Sequence, residues 1–512
     1  MVTLHADSRC ASRSADNLSL YRKPSSLFLV VLAVLSLFPF VALGGGGGTL
    51  AVTIPLPASF IIKIGGLSIY QAFITGGNGL PFFTESNFTQ LVNDDILRST
   101  ICSQGCSIAL TPGNYNETQK IQVKVPLTIT GPSTAIIFPQ NTFTTPAFNV
   151  SGNSFRFDGP RIDDAARKFQ AIITCTNLAG TGCHIPIVIW GALCLIRASQ
   201  FFNITTVGIF LTRFSSGCEV LSNTITGDLN QFSNSSLSTM QGVEASGMSQ
   251  RIHDNTISYI RGGAGIRVGG GTINNAIHNS ASGNTLFHNE YGVQTVSAID
   301  VRIVDNTIYN STSHGIIVST ALVPSTFGPL VIGHNSIGES GQGLCCGSVP
   351  GLESHIDLAG SRCCWYSVSI TGNVMLDRQS NQTTKTDIEI ASQNYRNLTI
   401  VGNSIGKART SPTILLSVNP FDRTWLIADN PGFNPQPVRG PLTAGATPFT
   451  YTNNDGYKEQ IELITIGDMT AFTCRGIANI IQVDAISPIL NTLDTCVFTY
   501  ITVAPTYDVL PT

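Results

Sequence analysis

Charge is what this chain of 512 residues has least of: Asp, Glu, Lys and Arg make up only 12% of it, and the formal net charge is -3. No basic run or stripe occurs, which argues against nucleic acid as a partner. Helical spacing of apolar residues is missing through the long middle of the chain, and leucine does not recur in a fixed frame. Those two absences exclude ankyrin, tetratricopeptide and leucine-rich arrays. What is plentiful is glycine, 49 residues, together with Asn, Ser and Thr. With so few charges, that balance fits a β-rich extracellular protein better than a cytosolic helical one.

A short phrase recurs instead. In residues 301–318, VRIVDNTIYNSTSHGIIV, the apolar Val301, Ile303 and Ile308 alternate with outward positions, Asn306 marks a bend, and Ile316, Ile317 and Val318 form a second strand. The asparagine returns as Asn223, Asn255, Asn284, Asn335, Asn373, Asn403 and Asn430, at steps of 22–38 residues. The second strand returns in GVEAS, GIRVG, GVQTV, GIIVS, HIDLA and DIEIA. Two short strands per unit predict a β-solenoid whose coils stack about 4.8 Å apart in parallel register. A stacked asparagine in the bend would donate its amide to one coil and accept from the next.

The repeat resembles the right-handed parallel β-helix of pectate-lyase-like proteins, and the resemblance supplies the handedness. Residues 106–138, CSIALTPGNYNETQKIQVKVPLTITGPSTAIIF, resemble the opening of such helices. The stretch SNFTQLVNDDILRS before them reads as a short capping helix with Ser86 as N-cap. The expected fold is therefore all-β: a right-handed single-stranded parallel β-helix with an N-terminal cap and a small C-terminal β-sandwich-like module. The expected order is 1–44 signal peptide or signal-anchor, 45–85 Gly-rich and apolar lead-in, 86–430 parallel β-helix, 431–447 Pro-rich linker and 448–512 β module. The first coils fall near 106–165, residues 165–200 depart from the repeat, and 201–430 run steadily. Extra residues at 320–329 and 338–366 are expected as loops on one side. The YTN and APTY phrases of the last segment are similar to small modules that close viral tail-fibre and surface proteins.

Residues 27–43 form an uncharged apolar run after Arg22 and Lys23, with Ala42 and Gly44 where small residues precede a signal cleavage. The rival reading is a retained signal-anchor, a membrane contact through this segment alone. Either way the expected location is secreted or cell-surface. Glycosylation sequons stand at Asn87, Asn116, Asn149, Asn203, Asn234, Asn310, Asn381 and Asn397. Of 13 cysteines only Cys10 precedes the apolar run, and the even remainder suits a disulfide-forming compartment. Close pairs suggest bridges between Cys102 and Cys106, Cys175 and Cys183, Cys194 and Cys218, and Cys474 and Cys496. Cys345, Cys346, Cys363 and Cys364 would close one insertion. Four thiolates also suit zinc, but vicinal pairs lack the usual two-residue gap.

Outward positions of the second strand are Glu244, Arg267, Gln294, Ile317, Asp357 and Glu389. Asp357 and Glu389 come from successive coils about 5 Å apart, a spacing that suits retaining glycoside hydrolysis. The plainer reading is two solvated carboxylates. A lyase or epimerase acting on a uronate needs instead a cation for the carboxylate, a base and an acid. Arg267 or Arg302 could neutralise; His253, His288 or His314 could transfer a proton; Tyr291 or Tyr309 could deliver one. His314 is expected beside Arg302 and Tyr309. The candidate catalytic set is thus Arg267, His314, Asp357 and Glu389, with Glu244, Gln294, Arg302 and Tyr309 binding substrate. Calcium is the one candidate cofactor, through Glu290, Asp300 and Asp305.

Polygalacturonases carry Asn-Thr-Asp, paired aspartates, Gly-His-Gly and Arg-Ile-Lys in coil order. Here Asp163 and Asp164 come too early, Ser313-His314-Gly315 lacks the first glycine, and no Arg-Ile-Lys follows. The Asp-Pro-His-Asp of mannuronan epimerases and the calcium aspartates of pectate lyases are missing too. The expected function is binding of a polysaccharide or cell-surface glycan on the outward face, extended to cleavage or epimerisation. The alternative is a non-catalytic surface or virion spike or adhesin, a homotrimer assembled through the C-terminal module.

Overall fold

The computed structural model describes residues 58–511 apart from internal segments, the longest being 138–147, 164–185, 228–239, 343–352, 417–424 and 431–438. The apolar run 27–43, Cys10, Cys175, Cys183, Cys345, Cys346, Cys363, Cys364, Asn234 and Asn381 lie outside the described residues, as do the side chains of Asn116 and Asn203.

One coil holds three strands rather than two. Ile299–Val304, Thr307–Tyr309 and Ile316–Ser319 each belong to a different sheet. Asp305, in the left-handed region at φ 59°, and Asn306 turn the chain inside what alternation reads as a single strand. Val301, Ile303 and Ile308 all still point inward and are buried, so the turn leaves the apolar pattern unbroken. The three sheets contain 15, 11 and 11 strands. Successive coils pair parallel and in register, as in Ile303 with Ile332, Ile308 with Ile337 and Ile316 with Ile356. One chain winding three parallel sheets in this way is a right-handed single-stranded parallel β-helix.

The bend between the first and second sheets carries the asparagines. From Asn223 to Asn430 each side-chain Nδ2 donates to the Oδ1 of the next at 2.9–3.0 Å. Each backbone N–H donates to that same Oδ1 at 3.0 Å. The ladder satisfies buried turn groups that would otherwise lack partners.

The amino-terminal end is closed as expected, with two corrections. Asn87, not Ser86, is the N-cap: its backbone is extended, and its Oδ1 accepts from the Gln90 N–H at 3.1 Å. The short helix it starts buries Phe88, Leu91, Val92 and Ile96. The lead-in also belongs to the solenoid. Ala58–Ile64 forms a hairpin with Tyr70–Ile74 and pairs parallel with Cys106–Leu110, extending the first sheet. The regular coil resumes by Ile187–Ile189, which pairs with Phe148–Val150, so the departure from the repeat ends before residue 200.

The carboxyl-terminal module has two antiparallel sheets. Arg439–Thr443, Glu459–Thr465 and Thr506–Pro511 form one; Phe449–Thr452, Met469–Cys474, Ile477–Ala478 and Thr495–Tyr500 form the other. Ile461, Leu463, Phe472, Phe498, Tyr507 and Val509 fill its own core. Its first strand lies within the stretch expected as linker, because Arg439–Thr443 finds an edge to pair with in Thr506–Pro511.

Cys102–Cys106 and Cys474–Cys496 are disulfides. Cys194 and Cys218, expected as a third, are buried free thiols hydrogen-bonded to each other. They precede Leu195 and Glu219, which pair in register on adjacent turns. Among the sequons, Asn310 and Asn397 occupy left-handed turn positions. Asn149 is committed within the third sheet: its amide donates to Gln122 at 3.1 Å and its carbonyl accepts from Trp190 at 2.9 Å.

Candidate functional site

The third sheet brings the outward column together. Alternation buries Val243, Ile266, Val293, Ile316, Ile356 and Ile388. One residue further on, Glu244, Arg267, Gln294, Ile317, Asp357 and Glu389 follow one another in register. The insertions expected as loops, 320–329 and 338–366, fall largely outside the described residues, at 320–326, 343–352 and 360–364.

His314 is the hub at the sheet's edge. Its Nε2 lies 2.8 Å from Glu353 Oε2 and 3.5 Å from Asp357 Oδ2. Its Nδ1 lies 3.0 Å from the Ser354 backbone N–H and 3.3 Å from the Ser354 carbonyl, so Nε2 is the nitrogen that faces the carboxylates. The Tyr291 ring stacks on the imidazole with centroids 6.1 Å apart. The Tyr291 hydroxyl bonds Glu290 and Ser313, and Ser313 also bonds Glu353. On the next strand Glu389 accepts from Lys385 at 2.9 Å and from the Ser354 hydroxyl at 3.0 Å. A register shift between Glu353 and Ser354 re-aims this strand. His355 turns inward and pairs with Asp387 at 2.9 Å, both fully buried.

The carboxyl groups are driven apart electrostatically. Burial pushes Asp357 up to about 6; His314 pulls it down, and the charges of Glu389 and Glu353 raise it further. Its side chain is only 11% exposed. Its Oδ1 is buried and finds no hydrogen-bond partner among the described residues. Glu353 is held low by the hydrogen bond from His314, which outweighs its burial. Burial depresses His314, but Glu353 and Asp357 overcome it and leave the imidazole raised. Burial raises the Tyr291 hydroxyl, and Glu290 and Glu353 add to it. The face therefore holds a carboxyl that keeps its proton toward neutrality beside an ion-paired one. Divergent carboxyl groups of this kind divide into acid and base roles. The reading of Asp357 and Glu389 as solvated surface charges is overturned, since Glu389 is itself only 13% exposed at its side chain.

Other candidates lie elsewhere. Arg267 is paired in register with Glu244, whose carboxyl is raised by burial against the pull of Arg267. Gln294 and Ile317 separate that pair from Asp357. Arg302 is on the first sheet and Tyr309 on the second, so neither stands beside His314. The third strand per coil is the reason, because its extra bend carries them to other faces. His253 is held by Glu219 at 2.7 Å and Asp254 at 2.9 Å on the first sheet. His288 stacks on Tyr259 with ring centroids 5.1 Å apart. The proposed calcium carboxylates do not gather. Asp300 contacts His278 at 2.5 Å, Asp305 is in a bend, and Glu290 bonds Tyr291. Among the described residues no three His, Cys, Asp or Glu side chains are placed to hold a metal ion.

Glu353, Ser354 and Lys385 were not among the residues expected from the sequence. For Glu353 and Lys385 the signal was a charged residue four positions before each column carboxylate, in ESHIDL and TKTDIEI. Two cavities lie away from this cluster. One of about 470 Å³ is lined by cap residues such as Asn93 and Asp94, with Lys120. One of about 280 Å³ lies on the second sheet around Tyr309, Gly338 and Leu376.

Neither a protein-family model nor a curated protein sequence matches the chain. Among solved structures it is similar to a tailspike protein mutant of E. coli bacteriophage HK620 in complex with a pentasaccharide. That match covers 80% of this chain and 87% of that one at 12% identity, with a TM-score of 0.49. It is similar to the A-module of a mannuronan C-5 epimerase from Azotobacter vinelandii, over 68% of this chain and 96% of that one, at 12% identity and a TM-score of 0.47. It is also similar to DFA-IIIase from Arthrobacter chlorophenolicus, over 67% and 88%, at 12% identity and a TM-score of 0.45.

Proposed function

We propose that the outward face of the third sheet binds a polysaccharide and hydrolyses it, with Asp357 and Glu389 as the reacting pair. One observation carries this reading: two carboxyl groups in register on adjacent strands, of which Asp357 is pushed up to about 6. Asp357 protonates the glycosidic oxygen as the bond to the anomeric carbon breaks. Glu389, ion-paired to Lys385, attacks or shields that carbon from the other side. Adjacent strands are about 4.8 Å apart, near the roughly 5–5.5 Å of retaining enzymes. Water then releases the sugar, and Asp357 takes up the water proton. His314 positions Asp357 and sets its charge, with Glu353 holding the imidazole. A lyase or epimerase is disfavoured because Lys385 is engaged by Glu389, and Arg267 is three strands away beside Glu244.

The test is to incubate the protein with a panel of polysaccharides and analyse products by mass spectrometry. New reducing ends without unsaturation are expected, and they should disappear in Asp357→Asn and Glu389→Gln. Products lacking the elements of water would replace hydrolysis by a lyase reaction. No product from any polymer, with and without calcium, would leave the non-catalytic spike or adhesin reading.

That second reading has an observation of its own. The C-terminal module exposes Ile477, Ile480 and Ile501 at 61%, 72% and 69%. Such apolar surface suits assembly of copies of the chain. We propose a homotrimer through this module. It predicts that Ile480→Asp lowers the mass measured by sedimentation. We also propose that the protein works outside the cytoplasm, directed by residues 27–43. The disulfides Cys102–Cys106 and Cys474–Cys496 support that location.

A further inference from the structure

The second sheet carries a column that the carboxylate cluster does not use. Phe287, Tyr309, Gly338 and Leu376 stand in register on four successive strands. The rings of Phe287 and Tyr309 stack with centroids 5.4 Å apart and planes 8° apart. Phe287 thus covers one face of the Tyr309 ring. Beyond the other face the column reaches Gly338, which has no side chain, before Leu376 resumes it. The gap is a notch one strand wide, within the groove of about 280 Å³. A Cβ placed on Gly338 would meet only the Leu376 carbonyl, at 3.0 Å.

The dimensions and lining of the notch specify its ligand. A strand spacing of about 4.8 Å would let a flat ring at the level of Gly338 continue the stack from Tyr309. Leu376 closes the far side. Exposed Arg378, Glu339 and the hydroxyl-bearing Thr307 and Ser336 also line the groove. One guanidinium fork and one carboxylate leave it without net charge. They supply donors and an acceptor for vicinal hydroxyls. With Arg378 balanced by Glu339 the groove has no surplus cation for an anionic sugar, and a purely apolar ligand would leave both charges unused. We propose that this notch is a second glycan subsite, on a different face from Asp357, which takes one neutral hexopyranosyl unit between Tyr309 and Leu376.

Saturation-transfer NMR on the full chain tests the proposal. The probes are the methyl pyranosides of glucose, galactose and mannose, with methyl galacturonoside as the charged control. Transfer to the ring C–H protons of at least one neutral glycoside is expected. Tyr309→Ala and Gly338→Leu, which fills the notch, should each weaken its binding at least tenfold. Tyr309→Phe should preserve it. Should Tyr309→Ala fail to fold, Gly338→Leu decides. Binding unchanged by Gly338→Leu would overturn the proposal. So would a response to the uronoside alone, or no transfer from any neutral glycoside.

Discussion

Asp357 gains its raised pKa from the fold, and the fold bears the cost. Its value of about 6 lies above that of the unfolded chain, so the native state favours the protonated carboxyl. The stability linked to it is present below about pH 4 and lost as pH rises through about 6. Asp357→Asn is therefore expected to raise the melting temperature at pH 7 and to leave it nearly unchanged at pH 4. The gain at pH 7 is bounded at about 3 kcal/mol by the size of the shift. Melts at the two pH values check this, and equal melting at pH 7 would mean that Asp357 is solvated. His314 makes the opposite case. Its pKa is raised, by Glu353 and Asp357 against burial, so its contribution is present at low pH and lost as pH climbs through the raised value. Glu353→Gln removes one of those carboxylates. The imidazole should then titrate at lower pH in an NMR series, and an unmoved titration would dissolve the link between Glu353 and the hub.

At the scale of the element, the asparagine ladder sets what one coil costs to break. Asn306 donates to the carbonyls of Ala281 and Val304 and to Asn335, and its own Oδ1 accepts from Asn284. Asn306→Ala strands several buried groups at once, each at about 1–3 kcal/mol. The expected loss is roughly 3–5 kcal/mol in chemical denaturation. Asn430 ends the ladder, so Asn430→Ala should cost clearly less. Equal losses would mean that the rungs do not support one another. This ladder was legible in the sequence because an asparagine recurring inside a bend has few other buried uses. The register of Asp357 with Glu389 was legible for the same reason, since the coil spacing fixes it. The cross-section was not. Val301, Ile303 and Ile308 keep an apolar rhythm across the turn at Asp305, so three strands read as two. Arg302 and Tyr309 were misplaced by that error. Glu353 was hidden by a register shift that alternation does not encode, and the inward turn of His355 and Asp387 was hidden with it.

Across the whole molecule, two cores carry the stability separately. One runs through the solenoid from Phe60 to Ile427, and the other fills the C-terminal module. In a solenoid each coil rests only on its neighbours, so damage stays near its origin. The module is small and carries a cross-strand disulfide, Cys474–Cys496, at paired positions within one of its two sheets. That bridge closes a loop with a sequence separation of 22. A loop of this length is worth about 3 kcal/mol through the entropy it removes from the unfolded chain. The double replacement Cys474→Ser with Cys496→Ser should therefore lower a calorimetric transition belonging to the module while the solenoid transition stays in place. Hydrogen exchange assigns the transitions, because Ile461 and Leu463 report one core and Ile303 and Ile332 the other. A single transition that moves as a whole would mean instead that the last coils depend on the module for their closure. The module would then be the carboxyl-terminal counterpart of the Phe88–Ile96 cap, needed to cover the solenoid's open end even where no second copy of the chain is bound.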